Sequence, residues 1–427
     1  MNVEEAIEIA DLALYAREGQ YMSDLERTLL EGAWHGWSYA KIAAAHQYTQ
    51  NYLQRDVAPQ LWKRLSSALG EEVSKKNFKA ALDRYAARSS SLAEVTDSSV
   101  LYVERPPIES NCYREITKAG ALVRIKAPRK MGKTQLMGKI LDYSATQGYR
   151  TVSVDLLQPD ESVLIDLEKF LHWLCANVSY QLDMPNKIPD FWDGLLGSNA
   201  SCDCYFKEYI LPQGDPPLVL ALDNVDRIFD RQNIASDFFK LLRSWFEGSR
   251  TKDILKKLRL VVAHSTEIYL SLDINHSPFN VGLAVELPEF TVEQVTELAK
   301  QQGLDLNSHQ IERLMSEVGG HPYLIREAFD RLEEYPGVTL AQILEKAETE
   351  EGVYANHLRE LSDSLFRDSR LVSAMKAVVQ SKKPVELERK RAFQLQSMGL
   401  VRWRGNAVEP CNRLYSSYFR DRLEEME

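Results

Sequence analysis

One short stretch constrains this chain more than any other. Leu122-Val123-Arg124-Ile125-Lys126 reads as a strand and runs directly into Ala127-Pro128-Arg129-Lys130-Met131-Gly132-Lys133-Thr134-Gln135, ahead of a helical pattern. Strand, loop and helix in that order, with Gly-Lys-Thr at the loop's end, make a phosphate cradle. The loop amides and helix N-terminus meet the anion, the lysine reaches the outer phosphates, and the hydroxyl takes Mg²⁺. The usual first glycine is replaced by Ala127, which fits if that position has a negative φ. Pro128 stiffens the turn.

A lone motif of this kind can arise by accident, so its context matters. Pro217–Asp223 is a buried-strand run ending in a carboxylate 89 residues after Thr134. Asp223 and Thr134 are therefore the candidate metal ligands. A third strand pattern, Leu258–Ser265, ends in His264 and Ser265, where a sensor of the outer phosphate would sit. Tyr149–Asp155 supplies a fourth. Strands alternating with helical patterns from Val100 to about Gly282 predict an α/β fold with a parallel sheet and covering helices. Many ATPases of this kind place a Glu directly after the strand-end Asp to polarise the attacking water. Here that residue is Asn224, which orients water but accepts no proton. Asp226 is the substitute acid, with Arg227 beside it. Slow hydrolysis and binding without turnover both remain open.

The chain has 427 residues and a net charge of −10, enough for about three domains. No run approaches the ~20 apolar residues that a membrane span needs. The acidic MNVEEAIEIADLAL start is unlike a signal peptide. Five sparse cysteines, with Cys202 and Cys204 too close for a zinc knuckle, suggest a reduced, cytoplasmic, metal-ligand-free protein. The charge is uneven. Lys41 to Arg88 carries nine bases against four acids, a local +5. In that region Ser23–His35, Ser38–Gln47 and a third stretch capped by Thr49 read as helices. Leu53, Val57, Leu61 and Leu65 form the inner face of the third, and Pro59 is expected to kink or divide it. Gln50, Asn51, Gln54, Arg55 and Lys63 point outward and suit base edges or phosphates of duplex DNA. A helical bundle that docks a protein partner fits the same pattern. The serine-rich 89–99 reads as a linker.

Together these stretches resemble a known family. YVERPPIE, APRKMGKT, LVLALDNVDR, LRLVVAHSTE, SPFNVG and GGHPYL occur in the order found in bacterial AAA-like, STAND-type P-loop NTPases. The preceding module resembles the N-terminal helix-turn-helix domain of von Willebrand A–MoxR-associated proteins. The resemblance implies an α/β P-loop NTPase of ASCE/STAND type, flanked by an all-α N-terminal domain and a C-terminal helical and winged-helix region. Its implied divisions are residues 1–88, the linker, 100–287 for the NTPase core, 288–350 for a helical lid and 351–427 for the winged helix. It also implies ATP/ADP and Mg²⁺ as cofactors and a switch that is closed with ADP and a homo-oligomer with ATP. Such switches serve regulation or bacterial conflict and defence, with sensor or effector proteins on other chains. Pro322 would pack on adenine, and Val103 and Arg105 would line the base or phosphate. DNVD is similar to the NACHT pattern, which supports Asp226. Arg243 is either an arginine finger to a neighbouring subunit or a partner of acids on its own helix. Gly319-Gly320 with Pro322 equally suits a plain helix end and restart. Phe393–Phe419 resembles a winged helix that packs on the NTPase as its lid. Two rival functions follow: a DNA-binding regulator or loader of the AAA+ origin-recognition kind, and a non-hydrolysing scaffold.

Overall fold

The computed structural model describes residues 3, 6–7, 10, 14, 22–45, 48–69, 73–79, 81–82, 102–192, 195–265 and 278–424. The expected linker 89–99 lies outside them. Packing divides the chain into two units, 1–101 and 102–427.

In the first unit, α1 (Asp24–Trp34) starts at a capping box in which Ser23 and Glu26 satisfy each other's backbone amides. Gly36 takes the left-handed turn after it, at φ 73°, and Ser38 caps α2 (Tyr39–Ala45) by accepting from Lys41 N at 3.2 Å. Thr49 caps the third helical stretch, accepting from Tyr52 N. Gln50–Tyr52 leads into a π-turn, Leu53–Val57, and then α3 (Ala58–Leu69). The expected inner face, Leu53, Val57, Leu61 and Leu65, is buried. Pro59 does not divide the helix. The wider turn just ahead of it relieves the clash a proline ring makes with the carbonyl four residues back. Arg64 reaches from α3 to Glu26 at 2.7 Å and ties the third helix to the first.

The second unit is built on a parallel five-stranded sheet, β1 (Leu122–Lys126), β2 (Arg150–Asp155), β3 (Leu218–Asp223), β4 (Leu258–His264) and β5 (Leu283–Glu286), in the order β2-β3-β4-β1-β5. Every residue of β3 and β4 is buried, as strands covered on both faces require. Alternate residues serve opposite faces. Val123, Val219, Ala221 and Val261 join Ile116 of α4 (Ile108–Ile116) and Leu136 and Ile140 of α5 (Lys133–Thr146). Leu218, Leu220, Leu222 and Val262 meet Phe170 and Leu174 of α6 (Leu167–Gln181) and Phe238 and Trp245 of α7 (Gln232–Gly248). The four expected strands are present. The fifth, β5, pairs with β1 at Val123↔Leu283. It escapes sequence reading because its four residues, LAVE, are too short and too exposed to show a period.

The sheet is followed by α8 (Val292–Gln301), α9 (Ser308–Val318) and α10 (Pro322–Glu334). Then come α11 (Ala355–Phe366), α12 (Ser369–Gln380), α13 (Arg389–Ser397), a hairpin of β6 (Val401–Arg404) and β7 (Ala407–Pro410), and α14 (Arg413–Glu424). Gly405, at φ 63°, turns the hairpin, and Val385 bridges to Val408 at its flank. Helix, hairpin and helix therefore stand where a winged helix is expected. No helix among the described residues is long and apolar enough to cross a membrane.

Candidate nucleotide-binding site

β1 delivers the loop 127–132 to the sheet's C-terminal edge, beside β4. Ala127 is buried and is not among the residues with positive φ, so the missing glycine is no obstacle. Lys130 and Gly132 carry the left-handed positions, at φ 61° and 93°. Lys133 is 7% exposed and folds back on the loop, its Nζ donating to Ala127 O at 3.0 Å and Pro128 O at 2.8 Å. Burial lowers its pKa to about 8, against the opposing pull of Asp226 and Asp223. Thr134 Oγ1, in the first turn of α5, donates to Asp223 Oδ2 at 2.6 Å. β4 separates the two strands that carry these motifs, and the helix start brings the motifs together.

Beyond β3 the chain turns sharply. Asn224 is left-handed at φ 53°, and its amide donates to Asp155 Oδ1 at 2.9 Å. Asp226 is clamped by a single residue: Ser265 N donates to Oδ1 at 2.9 Å and Ser265 Oγ to Oδ2 at 2.8 Å. The Ser265 hydroxyl thus holds the candidate catalytic acid, while the neighbouring His264 is buried against the rings of Phe229 and Phe279. Arg227 and Arg231 both pair with Glu161. Arg243 bonds Glu247 at 2.7 Å on its own helix and Asn280 at 2.5 Å.

Arg105 lies across the loop. It is 3% exposed, donates from Nη2 to Met131 O at 3.0 Å, and stacks on Phe290 at 4.6 Å. Its Nε and Nη1 are buried with no hydrogen-bond partner among the described residues. The unmet Nη1 lies beside Gly132, and a buried charged donor there suits an anion placed at this loop. Glu109 holds the segment, accepting from Tyr102 OH at 2.6 Å and Arg105 N at 2.8 Å. Val103 is buried, whereas Arg129 and Gln135 are exposed. Pro322 is buried at the first position of α10, and Gly319 terminates α9. Gly320 has a packing reason of its own: a Cβ there would lie 2.1 Å from Phe290 O.

One set of contacts had no signal in the sequence. Lys130 Nζ donates to Glu360 Oε2 at 2.7 Å, sits 3.2 Å from His357 Nδ1, and lies 4.4 Å over the Tyr323 ring. His357 continues to Tyr415 OH at 2.7 Å. A Cβ built on Gly399 would meet Pro128 at 3.4 Å. The helices after the sheet therefore rest directly on the phosphate loop. Partners up to 230 residues apart leave no local pattern to read.

A loop ending in Gly-Lys-Thr, a strand-end Asp joined to that Thr, and a parallel sheet with the loop's strand inside it define a P-loop nucleotide-binding fold. More particularly, the chain belongs to the AAA-like domain family, which matches residues 91–421. Residues 1–85 match the N-terminal helix-turn-helix of vWA-MoxR-associated proteins. Among solved structures, the chain is similar to a Walker-type ATPase of Pyrococcus abyssi, at 14% identity and a TM-score of 0.54 over 75% of this chain and 96% of that one. It is also matched to the Aeropyrum pernix ORC2 protein in ADPNP–ADP complexes, at 12% identity, a TM-score of 0.49 and coverages of 77% and 96%. The AMPPCP-bound DnaA of Aquifex aeolicus matches at 15% identity, a TM-score of 0.38 and coverages of 70% and 79%. No curated protein sequence matches significantly. The Pyrococcus likeness establishes the fold.

Proposed function

We propose that this chain is an ATP- and Mg²⁺-binding switch of the STAND type. Its nucleotide state sets the position of its C-terminal helices and its self-assembly, and its N-terminal unit passes the change to duplex DNA or a partner protein. Regulation or bacterial conflict, with sensors or effectors on other chains, is the setting that suits such a switch. The observation that supports this reading is the three-sided grip on Lys130 by Glu360, His357 and Tyr323, which sets these helices on the phosphate loop. Bound between Lys133, Thr134 and Asp223, Mg²⁺–ATP supplies the outer phosphate that the switch distinguishes. Arg105 fits the same anion with its unmet donors, and Val103 and Pro322 stand for the base. Asp226, held by Ser265, polarises the attacking water. Asn224 in place of a glutamate makes that hydrolysis slow.

The rival reading, a DNA-binding regulator or loader, is favoured by the exposed row Gln50, Asn51, Gln54, Arg55 and Lys63, flanked by exposed Tyr48 and Tyr52. Against it, several of the unit's cations are occupied. Lys41 lies over Trp37, Lys75 over Tyr39 and Lys79 over Trp34, each within 4.5 Å, and Arg64 pairs with Glu26. Size-exclusion with light scattering in ADP, ATP and a non-hydrolysable analogue, with and without duplex DNA, separates the two. A larger particle with ATP or the analogue supports the switch. One mass in all three nucleotides overturns it.

A further inference from the structure

The overall −10 conceals a second cationic region at the other end of the chain. Between Lys382 and Arg404 stand seven bases and two acids. They occupy the turn after α12, the start of α13 and strand β6. Lys382, Lys383, Arg389, Lys390, Arg402 and Arg404 are all exposed. Of these, Arg402 and Arg404 share one carboxylate, Glu409, at 2.8 Å each. Lys382, Lys383, Arg389 and Lys390 have no ion pair among the described residues, although Arg389 lies 5.8 Å from the centre of the Phe393 ring.

Shape adds to charge. A groove lies on each side of the β6–β7 hairpin. One is lined by Lys382, Lys383, Arg402 and Arg413. The other is lined by Arg389, Phe393, Trp403 and the turn residues Gly405 and Asn406. Glu409 also lines the first groove, yet cations outnumber acids here; like charges in excess repel one another, and a polyanion laid across them releases its own counterions. A helix followed by a protruding hairpin, with cations on both sides, matches the two phosphate rows bordering a groove of a double helix.

We propose that the C-terminal winged helix is itself a duplex-DNA-binding surface, with Lys382, Lys383, Arg389 and Lys390 on the phosphates. The same C-terminal region touches the phosphate loop through Gly399 at Pro128 and through α11 at Lys130. DNA and nucleotide therefore act on one element. The DNA contact stands without the switch reading; only its dependence on nucleotide rests on that reading.

The test uses the full chain and a labelled duplex of arbitrary sequence, followed by anisotropy from about 50 mM salt upward. The quadruple variant Lys382→Glu, Lys383→Glu, Arg389→Glu, Lys390→Glu should bind at least tenfold more weakly, with a salt slope shallower by about three to four. Circular dichroism and ATP titration confirm that the variant is folded. Arg55→Ala with Lys63→Ala, measured in parallel, reads the separate contribution of the N-terminal unit. Wild-type affinity in the quadruple variant, loss confined to the Arg55/Lys63 pair, or no duplex binding by the wild type each overturns the proposal. So does retention on polyglutamate but not on duplex, which marks a surface for acidic proteins. A quadruple-variant defect in a chain whose mass ignores nucleotide keeps this proposal and discards the switch.

Discussion

Lys133 and Thr134 are each held by a partner that a bound nucleotide would replace or share: two loop carbonyls for the ammonium, one carboxylate for the hydroxyl. The loop is thus pre-shaped, and removing its lysine takes away charge without taking away the fold. Lys133→Ala should weaken ATP at least tenfold, about 1.4 kcal/mol; calorimetry showing unchanged affinity would remove the nucleotide assignment. Asp226 differs, because both its oxygens are already fixed by Ser265. Asp226→Asn keeps the shape and loses the base, so phosphate release should stop while ATP binding persists. Turnover at the wild-type rate would move the role to another residue. Most of these residues were legible from motif and spacing alone. The clamp on Asp226 was not, since Ser265 looked as well suited to sensing phosphate.

Among the elements, the helices after the sheet meet the phosphate loop at Lys130, the contact on which the proposed switch depends. The Lys130–Glu360 pair is partly exposed, so it adds at most about 1 kcal/mol to the fold. Its position on the phosphate loop matters more. Glu360→Gln should leave thermal stability nearly unchanged and speed release of a fluorescent ADP several-fold in stopped flow; an unchanged release rate reduces the contact to packing. The same interface buries two histidines. Burial, then the nearby Lys130 charge, lowers His357 to about 3, and burial, against a backbone hydrogen bond that raises it, lowers His321 to about 4. Both rings stay neutral in the fold at pH values where the unfolded chain takes up protons. Stability is therefore full above about 6.5 and falls as pH drops toward 4, by about 3 kcal/mol for His321. Urea midpoints across that range should decline, and His321→Gln should flatten the decline; a flat wild-type profile refutes it.

At the scale of the whole molecule, the proposed switch requires each nucleotide state to present its own surface for self-assembly. If hydrolysis resets that state, the Asp226→Asn chain should assemble with ATP and fail to dissociate, as light scattering over time will show. Disassembly at the wild-type rate would uncouple assembly from turnover.

The sequence by itself determined the sheet's core strands, the phosphate loop and the strand-end Asp223, because each is written in contiguous residues: apolar runs such as LVLALD, and Gly-Lys-Thr directly after a strand. It also marked the helix caps at Ser38 and Thr49, which act over three residues. Tertiary structure alone decided the rest. β5 exists because β1 offers it an open edge, and Pro59 survives because a π-turn precedes it. Arg105 meets Met131, and Lys130 meets Glu360, only once helices distant in sequence have packed. Such contacts depend on how far the folded chain brings residues together in space, a distance that spacing along the chain does not encode.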